Sequence, residues 1–140
     1  MPSNDLRVHI AVEDRLLLHL LEQDNQADLY MVSPAVTRPG IAEACALHPP
    51  NVSRSMRTML RNQWVSEHTR TVRGESRRQK TWQLTDIGRT EAQSRSNSLG
   101  LTQVLIRDEG GQLLEITASQ ASTRLAAELT LLQVLMHAQH

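Results

Sequence analysis

The chain has 140 residues and a mass of 15.8 kDa, which is enough for one or two small domains but not for a large multidomain enzyme. Basic and acidic residues balance at 15 each, so the bulk charge favours no partner. The single cysteine, Cys45, excludes an internal disulfide framework and a cysteine-rich zinc site. No apolar run approaches the roughly 20 residues that span a bilayer, and the N-terminus lacks the features of a signal peptide. We therefore expect a cytoplasmic protein with no membrane partner.

The charges are unevenly distributed along the chain. Residues 54–95 carry ten basic and four acidic side chains, whereas residues 1–53 and 96–140 are both net acidic. A basic segment within an otherwise acidic chain is typical of a nucleic-acid-binding surface.

The N-terminal half predicts a helix, a short strand and a second helix. Leucines recur at helical spacing at positions 16, 17, 20 and 21. Residues 30–34 predict a small edge strand that ends at a proline. Thr37 is the predicted N-cap of the next helix, with Pro39 in its first turn. We expect three side chains on its inner face: Ile41, Ala44 and Cys45.

Residues 48–96 complete the pattern of a winged helix-turn-helix. Pro49 and Pro50 open a helix with an apolar stripe formed by Val52, Met56, Met59 and Leu60. Two strand-forming segments, 64–72 and 80–84, flank turn residues 73–76 and predict the hairpin called a wing. Thr85 is expected to cap a further helix that ends near residue 96.

A break rich in Ser, Asn and Gly, residues 94–100, is expected to separate a C-terminal extension. Segments 103–107 and 112–116 predict a second hairpin, and residues 118–138 predict one helix or two. One apolar stripe is expected on this helical region: Leu125, Leu129, Leu132, Leu135 and Met136. The predicted fold is mainly α with small β-hairpins (α+β), with a winged helix-turn-helix domain over 1–97 and a hairpin-helix extension over 98–140.

The second helix of the helix-turn-helix has an arginine-rich face opposite its apolar stripe. No Asp or Glu occurs between Pro49 and Ser66, whereas ordinary solvated helix faces mix both signs. In a helix-turn-helix this exposed face enters the major groove. The predicted DNA-binding residues of the helix are Asn51, Ser53, Arg54, Ser55, Arg57, Thr58 and Arg61.

The wing segment is equally basic. Its cations are Arg70, Arg73, Arg77, Arg78 and Lys80. Because a thin hairpin cannot bury them, we expect them to face water or phosphate, along the DNA backbone or minor groove. Trp64 and Trp82 are expected to pack in the core instead of stacking on bases.

No catalytic motif or cofactor site is apparent, so we expect the protein not to be an enzyme. No histidine has a second ligand at the i+3 or i+4 spacing of a metal site. His48 is expected in a turn or cap and His19 partly exposed on a helix, while Cys45 is expected to be a small core residue.

Three segments together resemble MarR-like winged helix-turn-helix domains, especially those of archaeal proteins in which the domain precedes an ATPase or helical-repeat region. The first segment is 14–21, and the second combines 36–44 with 52–56. The third, 72–88, has a basic turn followed by a strand and ends in the pattern Leu-Thr-x-x-Gly. One departure is Pro49-Pro50, where polar residues are usual and backbone N–H groups can hold phosphate.

The resemblance implies sequence-specific binding of double-stranded DNA by a transcriptional regulator. The broad apolar stripe of the tail predicts a homodimer joined through the C-terminal segment. Two alternatives remain: a winged-helix module that binds an acidic protein partner, and an N-terminal regulatory fragment of a larger ATPase-type protein.

Overall fold

The computed structural model describes residues 10–26, 29–107, 110–124 and 129–137. The helices and strands confirm the α+β class. They are α1 (Val12–Glu22), β1 (Met31–Val32), α2 (Arg38–Cys45), α3 (Pro49–Arg61), β2 (Val65–Val72), β3 (Gln79–Leu84), α4 (Asp86–Gly100), β4 (Gln103–Arg107), β5 (Leu113–Thr117), α5 (Ala118–Arg124) and α6 (Leu131–His137). The chain forms two compact units, residues 12–93 and the described residues from 94 onward with 10–11.

Helix α1 forms the centre of the 12–93 unit. Leu16, Leu17 and Leu20 are buried, and the helix packs against α2 and β3. Full burial of each leucine contributes about 1.5–3 kcal/mol to stability. His19 is also buried on this helix, so the expectation that it is partly exposed is wrong.

The sheet of this unit has the strand order β1-β2-β3. β1 pairs parallel to the far end of β2, where Met31 lies opposite Thr71. β2 and β3 form an antiparallel hairpin from Val65–Leu84 to Arg70–Gln79. A parallel pair requires a crossover connection, which α2 and α3 supply. The predicted edge strand and wing are both present.

Helix α2 has the predicted N-cap but a different buried face from the one expected. The hydroxyl of Thr37 accepts the N–H of Gly40, and the predicted N-cap is confirmed. A Cβ on Gly40 would lie 1.9 Å from the carbonyl oxygen of Pro34, so only glycine fits. Ala42 is buried and Ala44 is exposed, which corrects the expected inner face. At 100° per residue, Ala42 and Ala44 lie equally far from the direction between Ile41 and Cys45, so packing against neighbouring elements, and not helical spacing, decides which of them is buried.

Helix α3 begins with both prolines in its first turn, as predicted. His48 occupies the N-cap position, but its side chain makes no capping hydrogen bond. Val52, Met56 and Met59 are buried, and Leu60 is half-buried at the margin of the apolar stripe.

Helix α4 is longer than predicted. Thr85 caps it by accepting the N–H of Gly88, and a Cβ on Gly88 would lie 1.8 Å from the carbonyl oxygen of Trp64. The helix continues to Gly100, so residues 94–100 are helical and not the irregular break that was expected, although the two compact units divide at residue 94. Gly100 packs closely against Ser119, since a Cβ on Gly100 would lie 3.2 Å from that of Ser119.

The C-terminal unit contains the predicted second hairpin, β4–β5, followed by two short helices. Gly111, in its turn, has a φ of 83° that favours glycine. Leu132, Val134 and Leu135 of α6 are buried, because α6 packs against α5. Leu129 and Met136 are half-buried, and Leu125 lies outside the described residues.

Candidate nucleic-acid interface

The face of α3 opposite its buried stripe presents a row of cations. Arg54, Arg57 and Arg61 are exposed, and Arg61 donates to the hydroxyl of Thr58 at 3.2 Å. The remaining predicted contact residues are half-buried along the margins of this face: Asn51, Ser53, Ser55 and Thr58. With no carboxylate anywhere in α3, this face has an uncompensated positive potential.

A depression of about 350 Å³ connects α3 to α2 and to the wing. It is lined by Arg38, Pro39, Ser53, Gln79, Lys80 and Trp82. The guanidinium of Arg38 lies 3.4 Å from the hydroxyl of Ser53. The front of α2, the front half of α3 and strand β3 therefore share one surface.

Arg38 is a residue that the sequence analysis missed. It is exposed at the first position of α2, directly after the N-cap Thr37. A basic residue at the front of the first helix of a predicted helix-turn-helix was the available signal, because that end lies beside the following helix.

Three of the wing cations, Arg73, Arg77 and Arg78, are exposed at the turn between β2 and β3. Arg78 donates to the backbone oxygen of Thr69 at 2.6 Å. Lys80 lies 3.8 Å from the carboxylate of Glu67, and exposed pairs of this kind stabilise proteins by about 0–1 kcal/mol. Lys80 is therefore only weakly restrained by Glu67.

Arg70 differs from the other wing cations. It is half-buried, and its guanidinium donates to the backbone oxygens of Gln26 and Leu29 and to the side-chain oxygen of Gln83. The expectation that every wing cation faces only water or phosphate is wrong for Arg70. The hairpin alone could not bury it, but the segment before β1 covers it.

Trp82 is buried, and its indole N–H donates to the carboxylate of Glu67 at 3.1 Å. Its predicted packing in the core is confirmed, while Trp64 is half-buried. Cys45 is buried as predicted, and burial raises the pKa of its thiol to about 12. The thiol is therefore protonated near neutral pH and unsuited to nucleophilic chemistry.

Within the part of the chain that the structure describes, no three His, Cys, Asp or Glu side chains cluster as a metal site would require. In those same residues, no helix has the length and apolar character needed to cross a membrane.

No protein-family profile and no curated protein matches the sequence. Similar solved structures include MepR, a transcription regulator of the Staphylococcus aureus multidrug efflux pump MepA, at 17% identity and a TM-score of 0.48. This chain is covered over 85% of its length and spans 64% of that one. Two mutants of the same regulator from multidrug-resistant clinical isolates match at 19% and 21% identity, both with TM-scores of 0.45. Those matches cover 86% and 92% of this chain and 66% and 73% of theirs.

These similarities have TM-scores below 0.5, so the fold is identified from the topology of this chain itself. Helix α1, strand β1, the helix pair α2–α3, the β2–β3 hairpin and α4 follow one another in the order expected for a winged helix-turn-helix. Residues 12–93 therefore form a winged-helix domain, which is the fold that the resemblance of the sequence implied.

Proposed function

We propose that this protein binds double-stranded DNA in a sequence-specific manner and acts as a cytoplasmic transcriptional regulator. The observation that carries the proposal is the continuous basic surface formed by the exposed face of α3, the front of α2 and the wing. Cations line it from three elements, and none of its α3 residues is acidic.

In the proposed complex, α3 lies in the major groove with Arg54 and Arg57 directed at base edges or phosphates. Pro49 and Pro50 provide no N–H groups at the front of α3, so amide contacts to phosphate are fewer there. The exposed guanidinium of Arg38, beside Ser53, supplies a donor near that same end.

The wing is proposed to follow the DNA backbone or minor groove. Arg73, Arg77 and Arg78 are exposed at its turn, and Lys80 lies in the depression that leads to α3. Guanidinium groups are favoured where the minor groove is narrow and its potential strongly negative.

Salt dependence tests whether the surface binds DNA. About four to six phosphate contacts give a slope of log K against log salt of roughly −4 to −5. Fluorescence anisotropy with genomic duplex fragments measures this slope. A slope near zero, or equal affinity for an acidic protein, would favour the protein-interaction module.

Base specificity tests the role of α3. Arg54→Ala with Arg57→Ala is expected to cost about 1–3 kcal/mol on a preferred site and to relax base preference. Arg77→Ala with Arg78→Ala is expected to weaken all duplexes alike, because phosphate contacts are independent of sequence. Ser94→Ala with Ser98→Ala, at exposed positions of α4 outside both proposed surfaces, is the control. Altered base preference in the wing variant alone would contradict the assignment.

We also propose that residues 98–140 act as an extension that joins two copies of the chain, with the winged-helix domain lying within 1–97. The outer face of the β4–β5 hairpin presents Leu105 and Leu113 beside Arg107 and Glu115, all exposed. A two-fold axis across this face would place Arg107 against Glu115 of the partner subunit, with the leucines between them.

A further inference from the structure

A second depression, of about 470 Å³, lies beside the turn of the wing, on its β1 side. It is lined by Tyr30, Arg70, Thr71 and Arg78. Tyr30 is the only tyrosine in the chain and is 84% exposed. All four lining side chains bear hydrogen-bond donors, and none is a carboxylate.

Tyr30 is held in place through its neighbours. Leu29 precedes it, and the backbone oxygen of Leu29 accepts from Arg70. Met31 follows it and pairs with Thr71 in the sheet. The same Arg70 guanidinium also donates to the backbone oxygen of Gln26, 3.4 Å away. An exposed phenol is thus presented from a restrained backbone.

Arg78 lines the same depression. Its Nη2 donates to the backbone oxygen of Thr69, a bond that directs the guanidinium back over β2. A guanidinium has five N–H donors, so this bond leaves others for a ligand. The site thereby combines a hydroxyl on a restrained backbone with a guanidinium held by one hydrogen bond.

Resting on the proposed function, we propose that this wing-turn site, formed by Tyr30, Thr71 and Arg78, binds a backbone phosphate of duplex DNA that flanks the sequence contacted by α3. The hydroxyl of Tyr30 and the guanidinium of Arg78 donate to the phosphate oxygens. Arg70 is a positioning residue that holds Tyr30, and not itself a DNA contact. A phosphate fits best because Tyr30 and Arg78 both offer hydrogen-bond donors, and Tyr and Arg are common donors to DNA phosphates.

Tyr30→Phe tests the site with little risk to folding, because it removes one exposed hydroxyl and retains the ring. It is expected to lower the affinity for all duplexes by about 3- to 10-fold, as expected for one lost hydrogen bond, without changing the salt slope. Arg78→Gln is expected to lower affinity similarly and to reduce the magnitude of the slope by about 1. Met31→Leu, at the neighbouring exposed position, is the control and should bind as the unmodified chain does.

A double-mutant cycle tests the role of Arg70. If Arg70 acts through Tyr30, then Tyr30→Phe has little further effect in an Arg70→Gln background, and Arg70→Gln leaves the salt slope unchanged. If Arg70 contacts phosphate itself, the two losses multiply and the magnitude of the slope falls by about 1. The second result would overturn the positioning role.

The binding measurements distinguish failure of this phosphate site from failure of the proposed function. If Tyr30→Phe binds duplexes normally while Arg54→Ala weakens them, the wing-turn site is wrong and DNA binding stands. If the unmodified chain does not bind duplex DNA, the proposed function itself fails. If Tyr30→Phe weakens binding only to a single-stranded oligonucleotide or to an acidic peptide, the site has another ligand and the proposal is overturned.

Discussion

At the scale of single residues, His19 is the buried titratable group whose environment has the clearest consequence. It lies on α1, and its Nε2–H donates to the backbone oxygen of Ala35 at 2.8 Å. Burial lowers the pKa of this imidazole, and the bond to Ala35 and the charge of Glu22 only partly offset that effect. The folded state therefore favours the neutral ring.

We predict that the stability of the 12–93 unit falls as pH decreases below about 6.5, the ordinary pKa of histidine. Below that pH the unfolded chain binds a proton that folded His19 resists, so protonation favours unfolding until pH reaches the lowered folded pKa. Urea unfolding at several pH values, followed by the fluorescence of Trp64 and Trp82, measures this loss.

His19→Gln is the matched variant, because its amide can still donate to Ala35 but does not titrate. The free energy of unfolding should vary less with pH below 6.5 in this variant than in the unmodified chain. Identical pH dependence in both would show that His19 is not responsible.

At the scale of elements, the connection between α2 and α3 determines how the basic helix is presented. Ala46 ends α2 in the left-handed conformation, with φ 55° and ψ 51°. The N–H of Leu47 then bonds to the oxygen of Ala42 at 2.9 Å, which closes the helix end. A side chain in this conformation is strained, and glycine is the residue usually found there.

Ala46→Gly is therefore expected to raise the free energy of unfolding by about 0.5–1 kcal/mol, with DNA binding unaffected. The matched control is Ala44→Gly, two residues earlier on the exposed side of α2. This substitution should lower the free energy of unfolding by about 1 kcal/mol. Urea denaturation measures both changes. Equal destabilisation by the two substitutions would contradict the strain at Ala46.

At the scale of the whole molecule, the proposed dimer has a different basis from the one that the sequence suggested. Much of the apolar stripe expected on the last helix is already buried within the chain, since Leu132 and Leu135 are buried. Exposed apolar side chains lie instead on the hairpin, where Leu105 and Leu113 share one face. Leu105 is 43% and Leu113 58% exposed, and neighbouring exposed apolar side chains are typical of an interaction surface.

We predict that the full chain is a dimer by light scattering at tens of micromolar and that Leu105→Glu with Leu113→Glu produces monomers. The added carboxylates would have to be buried without partners in the interface. Ser94→Glu with Ser98→Glu, which adds the same charge at exposed positions of α4, should remain dimeric. A monomeric unmodified chain, or a dimeric leucine variant, would refute the hairpin interface.

Features that depend on local chemistry could be predicted from the residues alone. The cap at Thr37, the prolines in the first turn of α3 and the apolar stripe through Met56 follow from hydrogen bonds and spacing within a few residues, so they could be predicted. The arginine face of α3 followed for the same reason, because burying one side of a helix leaves the other side exposed.

Features that depend on contacts between residues distant in the chain could be seen only in the folded protein. Arg70 is covered by the segment around Leu29, 41 positions away, and Arg38 meets Ser53 across the helix pair. Helix α4 continues through a stretch of weak helix formers and ends where Gly100 packs against Ser119. Burial and long-range hydrogen bonds set these outcomes, and local propensity does not encode them because they are energies of contact between separate elements.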